Sequence, residues 1–490
     1  MSKSDFFVVI TIILAIVALF SEQNRKFHLM KFSKRNKMAA GVLLLIIHLF
    51  VWSEKWTCWK GTVFDIYWFP LPSTYAYVLF ILLLFFFIWK IGFAAFPLEN
   101  HPKLLNDYIR LLGDDKISLL ASLIDKYHIK DILSFLKEKN NLRKGESQKM
   151  KEEQNKQLNE VKEKKSRQKE MSQSEANYET EEDLEMQQYI LENDELWYNY
   201  IHNDYIDNLN NLKKKYPQYQ LSDDIFEKII KSKDFIKHVV NFNPIYFCPF
   251  IKLMDEKNDE FINDILEALM KKKDEKFFNE VNKLREFEID DGFVIDQNEF
   301  PLLHAVFSNP DIAIKNSVWY SVCEEALIEL REEKENKVSY LLYEEPDNDY
   351  SQKTLLSKSK IVVAIHFLEI MGTLFLIHER FEGCWGVYYE NYTRMLLEIM
   401  CSRNESCDVC LKGENAETPV SEYSNKRTIA FYLIENIIES ICDLYKLSTK
   451  KKSNYIQLFE NCKKRQIDVI SKTDKLSLSE KEELIEKLEL

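Results

Sequence analysis

Residues 76–96 read AYVLFILLLFFFIWKIGFAAF, an apolar run broken by a single charge at Lys90. At about 1.5 Å per residue, 21 residues make a helix of roughly 31 Å, which matches the hydrocarbon core of a bilayer. Two shorter runs precede it, Phe6 to Phe20 and Met38 to Trp52. Each reaches only roughly 22 Å, so it must borrow flanking residues, thin the bilayer locally, or fail to cross it. A cleaved signal peptide is the competing reading of the first run, but Ala18, Leu19, Phe20 and Ser21 offer no small-x-small cleavage site. The pattern predicts an anchor of three transmembrane helices within residues 1–97.

Orientation follows from the loops. Arg25, Lys26, Lys31, Lys34, Arg35 and Lys37 face Glu22 alone between the first two runs, whereas the next loop carries Lys55 and Lys60 with Glu54 and Asp65. Basic loops stay inside, so the chain after Phe96 is expected in the cytoplasm. Trp52, Trp56, Trp59, Tyr67, Trp68 and Tyr75 crowd the outer loop, where amphipathic rings prefer the headgroup level. Lys90 lies near the inner end of its run and snorkels to the headgroups, and His48 has no deep ionisable partner with which to build a relay.

Composition favours helices throughout. Gly and Pro, 10 and 11 of 490 residues, are too few for a chain of many turns and short strands, and the expected fold class is all-α. A net charge of -13 excludes general affinity for nucleic acid, which needs concentrated positive charge. The nine cysteines are scattered, unlike a disulfide framework, and are read as reduced thiols.

Beyond the anchor, residues 98–139 read as juxtamembrane helices. One opens at Asn100, His101 and Pro102 and carries Leu104, Leu105, Tyr108, Leu111 and Leu112; a second runs from Lys116 to Glu138. Residues 140–183 hold few apolar side chains and no heptad, which predicts a charged linker or stalk, either a solvated helix or a flexible spacer, rather than a coiled coil. A cytosolic helical domain over 184–490 starts near Thr180 and Asp183. Within it Ser222 opens a segment from Ile225 to Val240, Asn309 and Pro310 open a helix that reaches Leu330, and another spans Lys426 to Tyr445. Ser479 and Glu482 form a capping box for the last helix, and one hairpin is expected around Asp290, Asp291 and Gly292. A further apolar run, Ile361 to Ile377, has Glu369 near its centre. A membrane-central acid costs about 2.5 to 3.5 kcal/mol, so this run is expected to be a core helix.

No phosphate loop, dinucleotide fingerprint, zinc-protease helix or nucleophile elbow occurs in the sequence. The densest polar constellation is His366, Glu369, His378, Glu379, Glu382 and Cys384. His366 and Glu369 share a helix face, where a carboxylate orients an imidazole for acid–base catalysis or, alternatively, a buried His–Glu bond fixes helix packing. Cys401, Cys407 and Cys410 include a C-x-x-C pair suited to zinc, with a fourth ligand to be recruited from Cys384, His378 or Cys442; zinc is the one cofactor suggested. Phe381, Trp385, Tyr388, Tyr389 and Tyr392 read as core aromatics, or as the lining of a pocket.

A short multispan anchor, a charged stalk and an all-helical cytosolic domain together resemble the layout of membrane-attached effectors of bacterial defence systems, without a shared motif. The resemblance implies an interaction or effector module whose partners are the lipid bilayer and either a cytosolic protein or further copies of the chain. Two other classes stand beside it: a membrane-anchored hydrolase or nuclease using His366 and Glu369, and a channel or transporter component, which the scarcity of intramembrane polar residues disfavours.

Overall fold

The computed structural model describes residue 27 and residues 29–53, 72–92, 96–114, 116–170, 194–254, 260–285, 295–335, 358–378, 385–401, 429–451, 455–473 and 476–489. Among these residues the regular structure is entirely helical, which agrees with the all-α expectation. The run Phe6 to Phe20, the Thr180 start and the hairpin turn at Gly292 lie outside the described residues. The chain divides into two compact units, one of residues up to Phe135 together with Gly145–Ile230, the other of Leu136–Lys144 and Lys231–Leu490.

The first unit begins with α1 (Lys34–Ser53) and α2 (Pro72–Gly92). Phe50 meets Tyr75 and Phe32 meets Phe87, at ring-centroid distances of 6.1 and 4.9 Å, so the two helices run antiparallel. Ala40 and Ile47, seven residues apart, and Ala76, Phe80 and Leu83, at steps of four and three, form one buried seam between them. A 3-10 turn (Leu98–Asn100) leads into α3 (His101–Gly113), which starts with Pro102 in its first turn as expected and buries Leu104, Leu105, Tyr108 and Leu111.

The predicted single helix from Lys116 to Glu138 is divided into α4 (Ile117–Tyr127) and α5 (Ile129–Glu170). The break is at His128, whose buried ring stacks on Phe96 at 5.4 Å and whose Nε2 lies 3.0 Å from the Tyr108 hydroxyl. Fixing that ring turns the backbone at His128 to φ -128°, outside the helical range, and the helix restarts one residue later. α5 then continues for 42 residues, so residues 140–170 of the expected linker form a solvated helix. Gln148 with Glu152, Lys149 with Glu146, and Gln157 with Glu153 bridge successive turns along it, at 3.2, 3.3 and 3.4 Å.

The unit closes with α6 (Asp194–Lys215) and α7 (Gln218–Ile225), the latter running into a π turn, Phe226–Ile230. α7 and the π turn pack on α3 through Leu221, Ile225, Phe226 and Ile229. Ser222 opens no helix: it lies inside α7, where its hydroxyl donates to the Gln218 carbonyl at 3.1 Å. The cap belongs to Ser232, whose Oγ accepts the Phe235 N–H at 3.3 Å and starts the next helix.

The second unit holds α8 (Lys233–Val240), α9 (Cys248–Ile251), α10 (Glu260–Lys272), α11 (Glu275–Arg285), α12 (Pro301–Phe307), α13 (Pro310–Lys315) and α14 (Trp319–Glu335). It continues with α15 (Lys360–Ile377), α16 (Trp385–Cys401), α17 (Ile429–Lys450), α18 (Ile456–Lys472) and α19 (Leu478–Glu489). α15 is its central element. Every residue of α15 except Glu369 and Ile377 is buried, because α11, α14 and α17 surround a helix that is apolar on all sides. Among the described residues α15 is the one helix that by length and composition could cross a membrane, and 89% of it is covered by protein.

Local chemistry sets the joints. Lys273, at φ 55°, ends α10: its N–H returns to Met270 and that of Asp274 to Leu269, the pairing of a Schellman motif. Asp274 then caps α11 by accepting the Phe277 N–H at 3.0 Å. Ser317, at φ 47°, repeats the motif after α13, so the helix expected from Pro310 to Leu330 is two helices meeting at a turn. The terminal capping box is formed by Ser477 and Glu480, two residues before the expected pair. Their side chains reciprocally accept each other's backbone N–H at 3.3 and 2.8 Å.

Candidate functional site

The structure brings His366 and Glu369 to the same side of α15, as their spacing requires, but gives each a different partner. Arg285, the last residue of α11, lies opposite. Its Nε donates to Glu369 at 3.2 Å, its Nη1 to the Asn436 side-chain oxygen at 3.1 Å and its Nη2 to Glu439 at 3.0 Å. Asn436 is oriented by a second bond, from its own amide nitrogen to the Tyr432 carbonyl at 2.7 Å. His366 Nε2 approaches the same Asn436 oxygen at 3.3 Å, and Nδ1 lies 2.9 Å from the side-chain oxygen of Asn282. Both contacts are to amide oxygens, and a neutral ring with its single N–H donates to one of them at a time.

Burial dominates the electrostatics. Burial, joined by the Arg285 charge, lowers His366 to about 3, so the imidazole is neutral at physiological pH. The same burial pushes the Glu369 carboxyl up to about 7, against the pull of Arg285. Asp443, also on α17, is raised by burial as well. Both ring nitrogens of His366 are engaged with amides, and the Glu369 carboxylate is held by a guanidinium. Glu369 therefore does not orient His366; Arg285 and Asn436 link them, and the cluster ties α11, α15 and α17 together.

Arg285, Asn282, Asn436 and Glu439 were not anticipated. Arg285, Asn282 and Asn436 lie 70 or 84 residues in sequence from the α15 side chains they meet, and Glu439 joins them through Arg285. The one hint was Glu369 itself, because a carboxylate inside an apolar helix calls for a cation.

Most of the expected metal residues lie outside the described residues. Cys401 is the final residue of α16, and Cys407, Cys410, Cys384, Glu379 and Glu382 lie outside the described residues. His378 caps the end of α15. Cys442 is buried with its thiol donating to the Lys487 carbonyl at 3.3 Å, which commits it to the packing of α17 against α19. Among the described residues no group of three or more His, Cys, Asp or Glu side chains is placed to hold a metal ion. Of the aromatic set, Tyr389 is buried with its hydroxyl 2.9 Å from Ser440, and the Tyr392 hydroxyl donates to Glu324 at 2.9 Å. Both belong to the packing of α16 against α17 and α14.

The other chemically unusual region is the α1–α2 hairpin and its base. The seam between the helices is apolar and buried, yet their outer faces leave Met38, Val42, Leu45, Leu82, Phe85 and Trp89 exposed, with Met38 and Phe85 at 73% and 65%. At the base, buried Lys31 donates to the Ile91 carbonyl at 2.8 Å, satisfying an orphan acceptor at the end of α2, and lies over the Tyr127 ring at 4.5 Å. Burial lowers the Lys31 amine to about 8. Asn100 donates to the carbonyls of Met30 and Phe32 at 2.6 and 3.2 Å, and Glu99 accepts the Lys34 N–H at 2.5 Å. These bonds hold the Leu98–Asn100 turn against the start of α1 and the end of α2. Comparison of the chain with family models, with curated proteins and with solved structures finds no match.

Proposed function

We propose that this chain is a membrane-anchored helical interaction module of the effector type. The α1–α2 hairpin sits in a bilayer, residues after 97 lie on the cytoplasmic side, and the second unit engages a cytosolic protein or further copies of the chain. One observation carries this reading: the outer faces of the hairpin expose large apolar side chains along both helices. Contiguous apolar surface of this kind marks a lipid or protein contact, and burying each such side chain is worth about 1.5 to 3 kcal/mol. The basic residues Lys34, Arg35 and Lys37 at the start of α1 agree with an inner-leaflet position. The His366 cluster supports a packing role, since both ring nitrogens of His366 and the carboxylate of Glu369 are engaged by side chains of neighbouring helices.

Topology is the test. In intact cells an impermeant maleimide should label Cys58 and leave Cys401, Cys407 and Cys410 unmodified until the membrane is permeabilised. The opposite pattern would overturn the orientation. Loss of membrane potential and growth on induced expression is the expected sign of effector action; normal growth and potential under every trigger would leave a scaffold rather than an effector.

A further inference from the structure

Beneath the hairpin, wholly within the first unit, the start of α3 and the α6–α7 corner enclose a cleft of about 750 Å³. Leu98, Pro102, Leu105 and Leu221 give it an apolar wall, while Lys213, Lys214 and Lys228 supply ammonium groups. Two of the three cations are already matched: Lys213 to Asp223 at 2.5 Å and Lys228 to Asp224 at 2.8 Å, with Gln220 also donating to Asp224 at 3.2 Å. Lys214 is exposed and has no carboxylate partner among the described residues. Two helix starts open onto the same space, α3 at His101 and α7 at Gln218, and neither is capped by a side chain. The leading N–H groups are taken by the preceding turns, His101 by the Leu98 carbonyl and Tyr219 and Gln220 by those of Tyr216 and Pro217, so the helices contribute only the positive ends of their dipoles there. The turn that carries Leu98 is bonded to the start of α1, so the cleft opens next to the end of the hairpin.

We propose that this cleft binds the phosphate of an anionic phospholipid. The headgroup meets Lys214, Lys228 and the two helix starts, while the acyl chains leave past exposed Leu98 toward the apolar face of α2 at Ile88 and Trp89. An amphiphile fits better than a free phosphate because cation and apolar wall occur together in one cleft beside a lipid-facing surface. The inference rests on the anchored reading above, and it adds a ligand class to it.

The test uses the full chain in mild detergent, with native mass spectrometry counting bound phosphatidylglycerol, phosphatidylcholine or inorganic phosphate. Phosphatidylglycerol should bind about ten-fold more tightly than phosphatidylcholine, and Lys214→Ala and Lys228→Ala should each lower that preference about five-fold. Lys237→Ala, an exposed cation of the second unit, should leave it unchanged. Equal binding of the two lipids, or a preference indifferent to both cleft variants, would overturn the site. Inorganic phosphate binding as tightly as the lipid would overturn the lipid assignment. Alkaline carbonate extraction of native membranes separates the two readings, since release of the chain sinks the anchor whatever the lipid preference in detergent, and retention without preference sinks the cleft alone.

Discussion

α2 and α15 are both long, apolar helices with one charged residue in the apolar stretch, and the structure surrounds them in opposite ways. α2 covers one stripe against α1 and leaves Leu82, Phe85, Ile88 and Trp89 open, whereas α15 has 16 of its 18 residues buried among three neighbours. The difference follows from the position and partner of the charge. Lys90 stands two residues from the end of α2, where a long side chain reaches beyond the apolar stretch, but Glu369 sits mid-helix and meets Arg285 from α11. An apolar run therefore has no fixed destination; the available cover and the answered charge decide it.

The largest effect should come from emptying the covered helix. Phe367 is fully buried, and Phe367→Ala should cost about 3 to 5 kcal/mol in denaturation followed by circular dichroism. Phe85→Ala on α2 should change stability in detergent by under about 0.5 kcal/mol. Equal losses at the two sites would break the comparison.

Removing the answering charge comes next. Arg285→Met leaves Glu369 buried without its cation and should cost about 3 kcal/mol, at the lower end for a broken buried pair because the carboxyl already favours protonation. The loss should shrink when Glu369→Gln is added, measured as a double-mutant cycle.

The pH dependence sharpens the same point. Glu369, raised to about 7, binds a proton in the folded state that the unfolded chain releases above about 4.5, so its contribution to stability falls as pH rises through that window. His366, lowered to about 3, stays neutral where the unfolded chain is protonated, so its contribution rises with pH up to about 6.5. Between pH 4.5 and 6.5 the two offset each other. Glu369→Gln removes the falling arm, and its stability relative to the parent chain should climb with pH across that range; a flat difference would contradict the buried titration.

The smallest effect concerns the cap. Ser359 Oγ accepts the Ile361 N–H at 3.2 Å at the start of α15, and Ser359→Ala should cost about 1 kcal/mol with no change in pH profile. A cost near that of Phe367→Ala would show that the cap, rather than packing, governs this helix.

The sequence by itself determined the all-helical class and, where the apolar repeat is clear, which face is buried. The turn-poor composition, the 3.6-residue repeat in α3 and the uniformly apolar α15 depend on neighbours within a few residues, so they were readable locally. Where helices end was less readable. His128, Ser232, Ser317 and Ser477 act as breaks or caps through ring burial, backbone turns and side-chain bonds that compete with equally plausible residues nearby. The polar cluster was half legible, in that Glu369 announced a need without naming who meets it. Arg285 and Asn436 come from other helices, as do the lysines of the cleft and the turn that carries Leu98. Only the tertiary structure decided these meetings, because a charge brought close by folding leaves no periodic trace in the chain.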